Sequence, residues 1–198
     1  EFVAATLTFE REDREKFVRC LADARKMGIV VASPDVNTCT SDFVVDGEQV
    51  RFGLSAVKGV GEKAVEAIAQ ARRDVGRFKA LWHFCRSVDL RAVNRTAIDA
   101  LIKCGAFDTV AGGPARRCAM IAGLEKAIHG GQKHASDRRC GQTVLFEQGG
   151  DTGEETARLP DLPPWSRDEM LSFEKETLGF YVSSHPLEHI RNISEGLN

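Results

Sequence analysis

The residues best suited to chemistry in this chain lie in the run VKGVGEKAVEAI, residues 57–68. Lys58 and Lys63 flank Gly59-Val60-Gly61, and a Gly-x-Gly reversal between two helical stretches leaves backbone N–H groups facing outward at the turn and at the start of the second helix. Such groups, aided by the helix dipole and two ammonium ions, suit an oxyanion, above all a phosphate of a nucleic-acid backbone. Val60 is expected to turn inward and hold the two helices together. Arg72, Arg73, Arg77 and Lys79 follow and extend the positive charge. A contact of this kind would be blind to base sequence. The competing reading is a tight helix-helix corner that uses glycine for steric reasons alone.

A second stretch, GQTVLFEQGG at residues 141–150, places Val144, Leu145 and Phe146 in surroundings that are otherwise Gly, Gln, Ser, Thr or charged. Either these three form a short strand that packs elsewhere in the chain, or they are anchors for another protein. No carboxylates stand in a pattern suited to catalysis; Asp42, Asp46, Glu62 and Glu66 read as solvated or capping residues. His129, His134, Cys118 and Cys140 match no structural zinc spacing, so neither metal nor cofactor is expected in this stretch. Phe78, Trp82 and Phe84 recur at helical spacing and read as core. His185, before Pro186, reads as a turn or core residue.

The elements that must position these residues are mainly helical. Phe17, Val18, Leu21 and Ala24 predict one amphipathic helix from Thr8 to Met27, stopped by Gly28. DFVVDGEQVRFG predicts a small β hairpin turning at Asp46-Gly47. Short helices separated by glycines follow, the first from Leu54 to Lys58. Asn94 is a predicted N-cap, and Gly105 a left-handed helix end. DALIKCGAFD has the outline of a second, degenerate hairpin whose glycine could equally just end a helix. Residues 130–164 read as a linker, closed by LPDLPPW, with Trp165 anchoring it to the folded body. Ser166 and Glu169 form a predicted capping box for a helix through Leu178. GFYVSSHPL reads as entry into a β element that this stretch does not complete, as at the end of a piece rather than a natural C-terminus. The expected fold class is therefore mainly α with a small β hairpin, containing a helix-hairpin-helix module.

Composition is that of a soluble globular chain: 198 residues, 42% hydrophobic and 28% charged. No run approaches a membrane span and no signal peptide opens the chain, so a cytoplasmic location without membrane contact is expected. The six cysteines contain no CxxC pair and read as reduced packing residues. The net charge of -2 conceals an uneven distribution. Residues 58–79 carry six bases against three acids, and residues 112–140 six against two, whereas residues 147–176 carry nine acids against three bases. A basic middle of this kind points to a polyanionic partner.

Taken in order, PDVN, VRFGLSAVKGVGEKAVEAI, VNRTAIDALIKCGAFD and LGFYVSSHPL resemble the C-family replicative DNA polymerases of bacteria, the DNA polymerase III alpha subunits. The resemblance covers essentially the whole chain. It implies the end of a fingers domain at residues 1–45 and a helix-hairpin-helix, clamp-binding domain at 46–129. It further implies a linker carrying an internal clamp-binding motif at 130–164, and at 165–198 a helix leading into an OB domain. The family's clamp motif, Gln-x-x-(Leu or Met)-Phe, is matched by residues 142–146, which implies Leu145 and Phe146 as buried anchors and Gln142 as the amide that fixes register. The implied partners are double-stranded DNA, held through Lys58, Gly59, Val60, Gly61, Lys63, Arg72 and Arg73, the beta sliding clamp, and the remainder of the polymerase holoenzyme. The family's Mg2+-dependent nucleotidyl transfer belongs to a palm domain upstream, so this stretch alone is not expected to polymerise DNA. The rival readings are the error-prone paralogue of the same family and a DNA repair protein built on a helix-hairpin-helix.

Overall fold

The computed structural model describes residues 1–10, 13–139 and 159–182. Its first departure from the sequence pattern comes at once, because the single helix expected from Thr8 to Met27 is two, α1 (Phe2–Phe9) and α2 (Arg14–Lys26). Asp13 causes the restart: its carboxylate accepts the Lys16 N–H at 3.2 Å, the geometry of an N-cap. Phe17, Leu21 and Ala24 of α2 are buried as their spacing requires, and Val18 is not.

The expected hairpin is present as β2 (Val44–Asp46) and β3 (Gln49–Arg51), paired antiparallel around Gly47 at φ 63°. A further strand, β1 (Val30–Ala32), joins the other edge of β3 in parallel, giving the order β1-β3-β2. Phe43 and Phe52, flanking the hairpin, stack edge-to-face with centroids 4.5 Å apart and meet Phe17 of α2. Phe180, from the far end of the described chain, closes this aromatic cluster.

Beyond the sheet come a 3-10 turn (Leu54–Ala56), α3 (Glu62–Val75), α4 (Leu81–Ser87), α5 (Arg95–Lys103), α6 (Asp108–Ala111), a second 3-10 turn (Pro114–Arg116), α7 (Arg117–Arg139) and α8 (Arg167–Leu178). Phe78, Phe84 and Phe107 are buried in a run of edge-to-face contacts and the half-buried Trp82 packs on the same core, as expected, although Phe78 lies in the loop before α4 and not on its helix. Asn94 caps α5 by accepting the Ala97 N–H at 2.9 Å, and Ser166 and Glu169 form the capping box of α8. Trp165 packs on Phe173 of α8 with ring centroids 4.5 Å apart.

The linker expected from residue 130 is the second departure, since α7 runs on to Arg139. Gly130 and Gly131 are not linker residues. A Cβ on Gly130 would overlap the ring of Trp82, and one on Gly131 the carbonyl of Cys85, so the two glycines let α4 lie against the backbone of α7.

Candidate nucleic-acid interface

The hairpin is assembled from a support that the sequence pattern did not single out. Gly53 lies so close to the backbone of Ser41 and Asp42 that no side chain fits there. The following residues are tied to the same loop, Leu54 N–H to Thr40 O at 2.9 Å and Ser55 Oγ to Ser41 O at 2.6 Å. The element expected to be a short helix from Leu54 to Lys58 is accordingly a single 3-10 turn, with Leu54 and Val57 buried beneath it.

The reversal itself matches its expected form. Gly59 has φ +87°, the Val60 N–H closes the turn on Val57 O at 3.0 Å, and the Val60 side chain is buried. Gly61 begins α3 with open space where a Cβ would lie. Among the described residues, the N–H groups of Gly59, Gly61 and Lys63 donate to no internal acceptor. Gly59 and Gly61 line an open groove of about 520 Å3 along Ser55–Glu62, Lys63 follows directly after it, and both lysines are exposed. Glu62 is the acid in this lining and offsets part of the positive field.

Arg72 and Arg73 are not part of this cluster, since ten residues of α3 separate Arg72 from Gly61, about 16 Å of helix. Arg72 donates to Val36 O and Cys39 O, at 3.3 and 2.9 Å, which makes it a brace for the loop after β1. Arg73 is exposed and bonds Gln70 at 2.6 Å. Val60 offers an anion neither its side chain, which is buried, nor its N–H, which is held by Val57 O.

The second glycine turn is closed to ligands. Gly105 has φ +88°, Ala106 and Phe107 are buried, and the Arg117 guanidinium occupies the space where a Cβ on Gly105 would lie. Arg117 donates two bonds to Asp108, at 2.8 and 2.6 Å. Its glycine therefore ends a helix and makes room for a buried cation.

Cys85 and Cys104 are pushed up to about 12 by burial, as befits packing thiols. Among the described residues no group of three or more His, Cys, Asp or Glu side chains could hold a metal ion. No helix among them is long and apolar enough to cross a membrane. Gln142, Leu145 and Phe146 lie outside the described residues, as do His185 and Cys140.

Residues 28–119, which include both glycine turns, match the model of the helix-hairpin-helix motif family. Over 98% of its length the chain is 39% identical to a DNA polymerase III subunit alpha of Deinococcus radiodurans, covering 14% of that relative. It is 40% identical to the Pasteurella multocida subunit and 36% identical to the Escherichia coli subunit, each over 94% of the chain and 16% of the relative. Along nearly all of its length, the chain is thus homologous to one segment, about a sixth, of the bacterial DNA polymerase III alpha subunit, and that segment contains the helix-hairpin-helix motif.

Proposed function

We propose that this chain is the part of a replicative DNA polymerase alpha subunit that holds duplex DNA by its backbone and carries the contact to the beta sliding clamp. The observation that carries the DNA reading is the hairpin: three unengaged N–H groups beside an open groove, between the exposed Lys58 and Lys63. One duplex phosphate accepts from these groups while the lysines supply charge, so the contact fixes position and not sequence. Arg73 adds a more distant backbone contact, whereas Arg72 serves the fold.

The clamp reading rests on the match of residues 142–146 to the family motif. In this reading Leu145 and Phe146 fill a groove on the clamp and Gln142 sets the register. Nucleotidyl transfer with its Mg2+ belongs to other parts of the polymerase, and the role of this segment is processivity within the cytoplasmic holoenzyme. The motif match favours the replicative over the error-prone paralogue, and homology along nearly the whole chain favours a polymerase over a repair protein.

The test of the DNA reading is duplex binding as a function of salt for the wild-type chain and for Lys58→Glu with Lys63→Glu. Affinity should fall uniformly across sequences and the salt slope should flatten by about two phosphate contacts. An unchanged slope would move the footprint away from the hairpin.

A further inference from the structure

A cavity of about 590 Å3 opens between the start of α4, α6, the first half of α7 and the Leu159-Pro160 segment. Its apolar lining includes Leu81, Val110 and Met120, and the half-buried Trp82 contributes an aromatic wall. The rim carries two exposed cations, Arg116 and Lys126, and no Asp or Glu lines the cavity. Neither cation has an ion pair among the described residues. Two acids near them in sequence are engaged elsewhere, Asp108 by Arg117 and Glu125 by Arg95. The volume lies within the range of ligand-binding clefts.

We propose that this cavity is a binding site for single-stranded nucleic acid, with a base against Trp82 and successive backbone phosphates on Arg116 and Lys126. Three features select that ligand. The cations stand ten residues apart, about 15 Å at helical rise, so a ligand that meets both is an extended chain of anions and not one phosphate. The far edge of the indole is pinned against Gly130, so the ring is held as a rigid stacking surface. A base paired within a duplex is stacked between its neighbours and cannot enter a cleft of this size, whereas an unpaired one can. The site goes beyond the hairpin reading and does not depend on it.

Trp165→Phe leaves Trp82 as the only tryptophan in the full 198-residue chain, which contains two. In that background a twelve-residue oligothymidylate should quench Trp82 emission saturably. Arg116→Glu with Lys126→Glu, both at exposed positions, should weaken the binding about tenfold or more, while Lys58→Glu with Lys63→Glu should leave it unchanged. The proposal is overturned if quenching does not occur, or if it is lost in the hairpin variant and kept in the cavity variant. It is also overturned if a polyglutamate peptide of equal charge binds as tightly and quenches as much, which would assign the cavity to an acidic protein partner.

Discussion

The backbone N–H of Lys58 donates to the carbonyl of Thr177 across 2.8 Å, so the Gly59-Val60-Gly61 reversal is tied to the last turn of α8. The tie is reinforced from below. Glu174, one turn earlier and wholly buried, accepts the Val182 N–H at 3.0 Å and lies 3.5 Å from Arg117. Burial works against the Arg117 charge, but the bonds and charge of Asp108 and the charge of Glu174 outweigh it and raise its pKa above the ordinary arginine value. α8 is thereby tied both to the hairpin and to the buried Arg117 beneath it.

Removing the Glu174 carboxylate should therefore cost more than a surface residue would. Glu174→Ala leaves the Val182 N–H without its acceptor and Arg117 with Asp108 and the Lys103 carbonyl, for a loss of about 3 kcal/mol. At this chain length that corresponds to a melting temperature lower by roughly 6–12 °C. Glu174→Gln, which can still accept from Val182, should lose less. Calorimetry showing a wild-type transition for the alanine variant would mean that the carboxylate does not hold α8.

Gly131→Ala discriminates between a glycine in a linker and one at a helix contact. In an exposed helical stretch the change should stabilise by about 1 kcal/mol. Here the new methyl meets the Cys85 carbonyl, and backbone cannot step aside as a side chain can. The expected result is destabilisation of about 1–3 kcal/mol in urea unfolding. A gain in stability would show that α4 does not pack against α7 at this point.

Gly53, Gly130 and Gly131 mark where the sequence stops being legible. Local signals were sufficient where one residue's own conformation decides the outcome: Gly47 and Gly59 at positive φ, Asn94 and Ser166 as caps, Val60 as an inward plug. They failed where a distant neighbour decides. Nothing near Gly130 in sequence reveals Trp82, and nothing near Gly53 reveals Ser41. Arg72 read as a phosphate ligand because its charge is visible in sequence, while the carbonyls of Val36 and Cys39 that absorb it are set by the fold. Asp13 was the opposite case, a local capping signal hidden inside an apolar period continuous enough to suggest a single helix.

His83 should make stability depend on pH. Its pKa is lowered by burial first, then by the charges of Lys79 and Arg86. The unfolded chain then binds a proton at His83 more readily than the folded chain does. The contribution is complete above the unfolded value near 6.5 and is lost as pH falls through the window below it. NMR titration should place the His83 midpoint below 6.5 and move it upward in Lys79→Ala, and His83→Gln should remove part of the stability gained between pH 5 and 7. A midpoint at or above 6.5 would sink this account.

The last expectation concerns Leu145 and Phe146. In sequence they fall between Arg139, the end of α7, and Leu159, whose Cδ2 lies 3.2 Å from where a Cβ on Gly123 would sit. A short motif of this type binds weakly by itself, and a neighbouring DNA contact raises its effective concentration at the clamp. Changing both residues to alanine should therefore abolish surface binding of the chain to a bacterial beta sliding clamp, and it should leave the melting temperature where it was. The two readouts separate the rival roles of the same side chains. If binding persists in the double variant, the motif is not the clamp ligand; if neither version binds, the error-prone paralogue becomes the better reading of the chain. If the melting temperature falls by several degrees, Leu145 and Phe146 belong to this protein's own core, since truncating two buried large apolar side chains costs about 2–5 kcal/mol each.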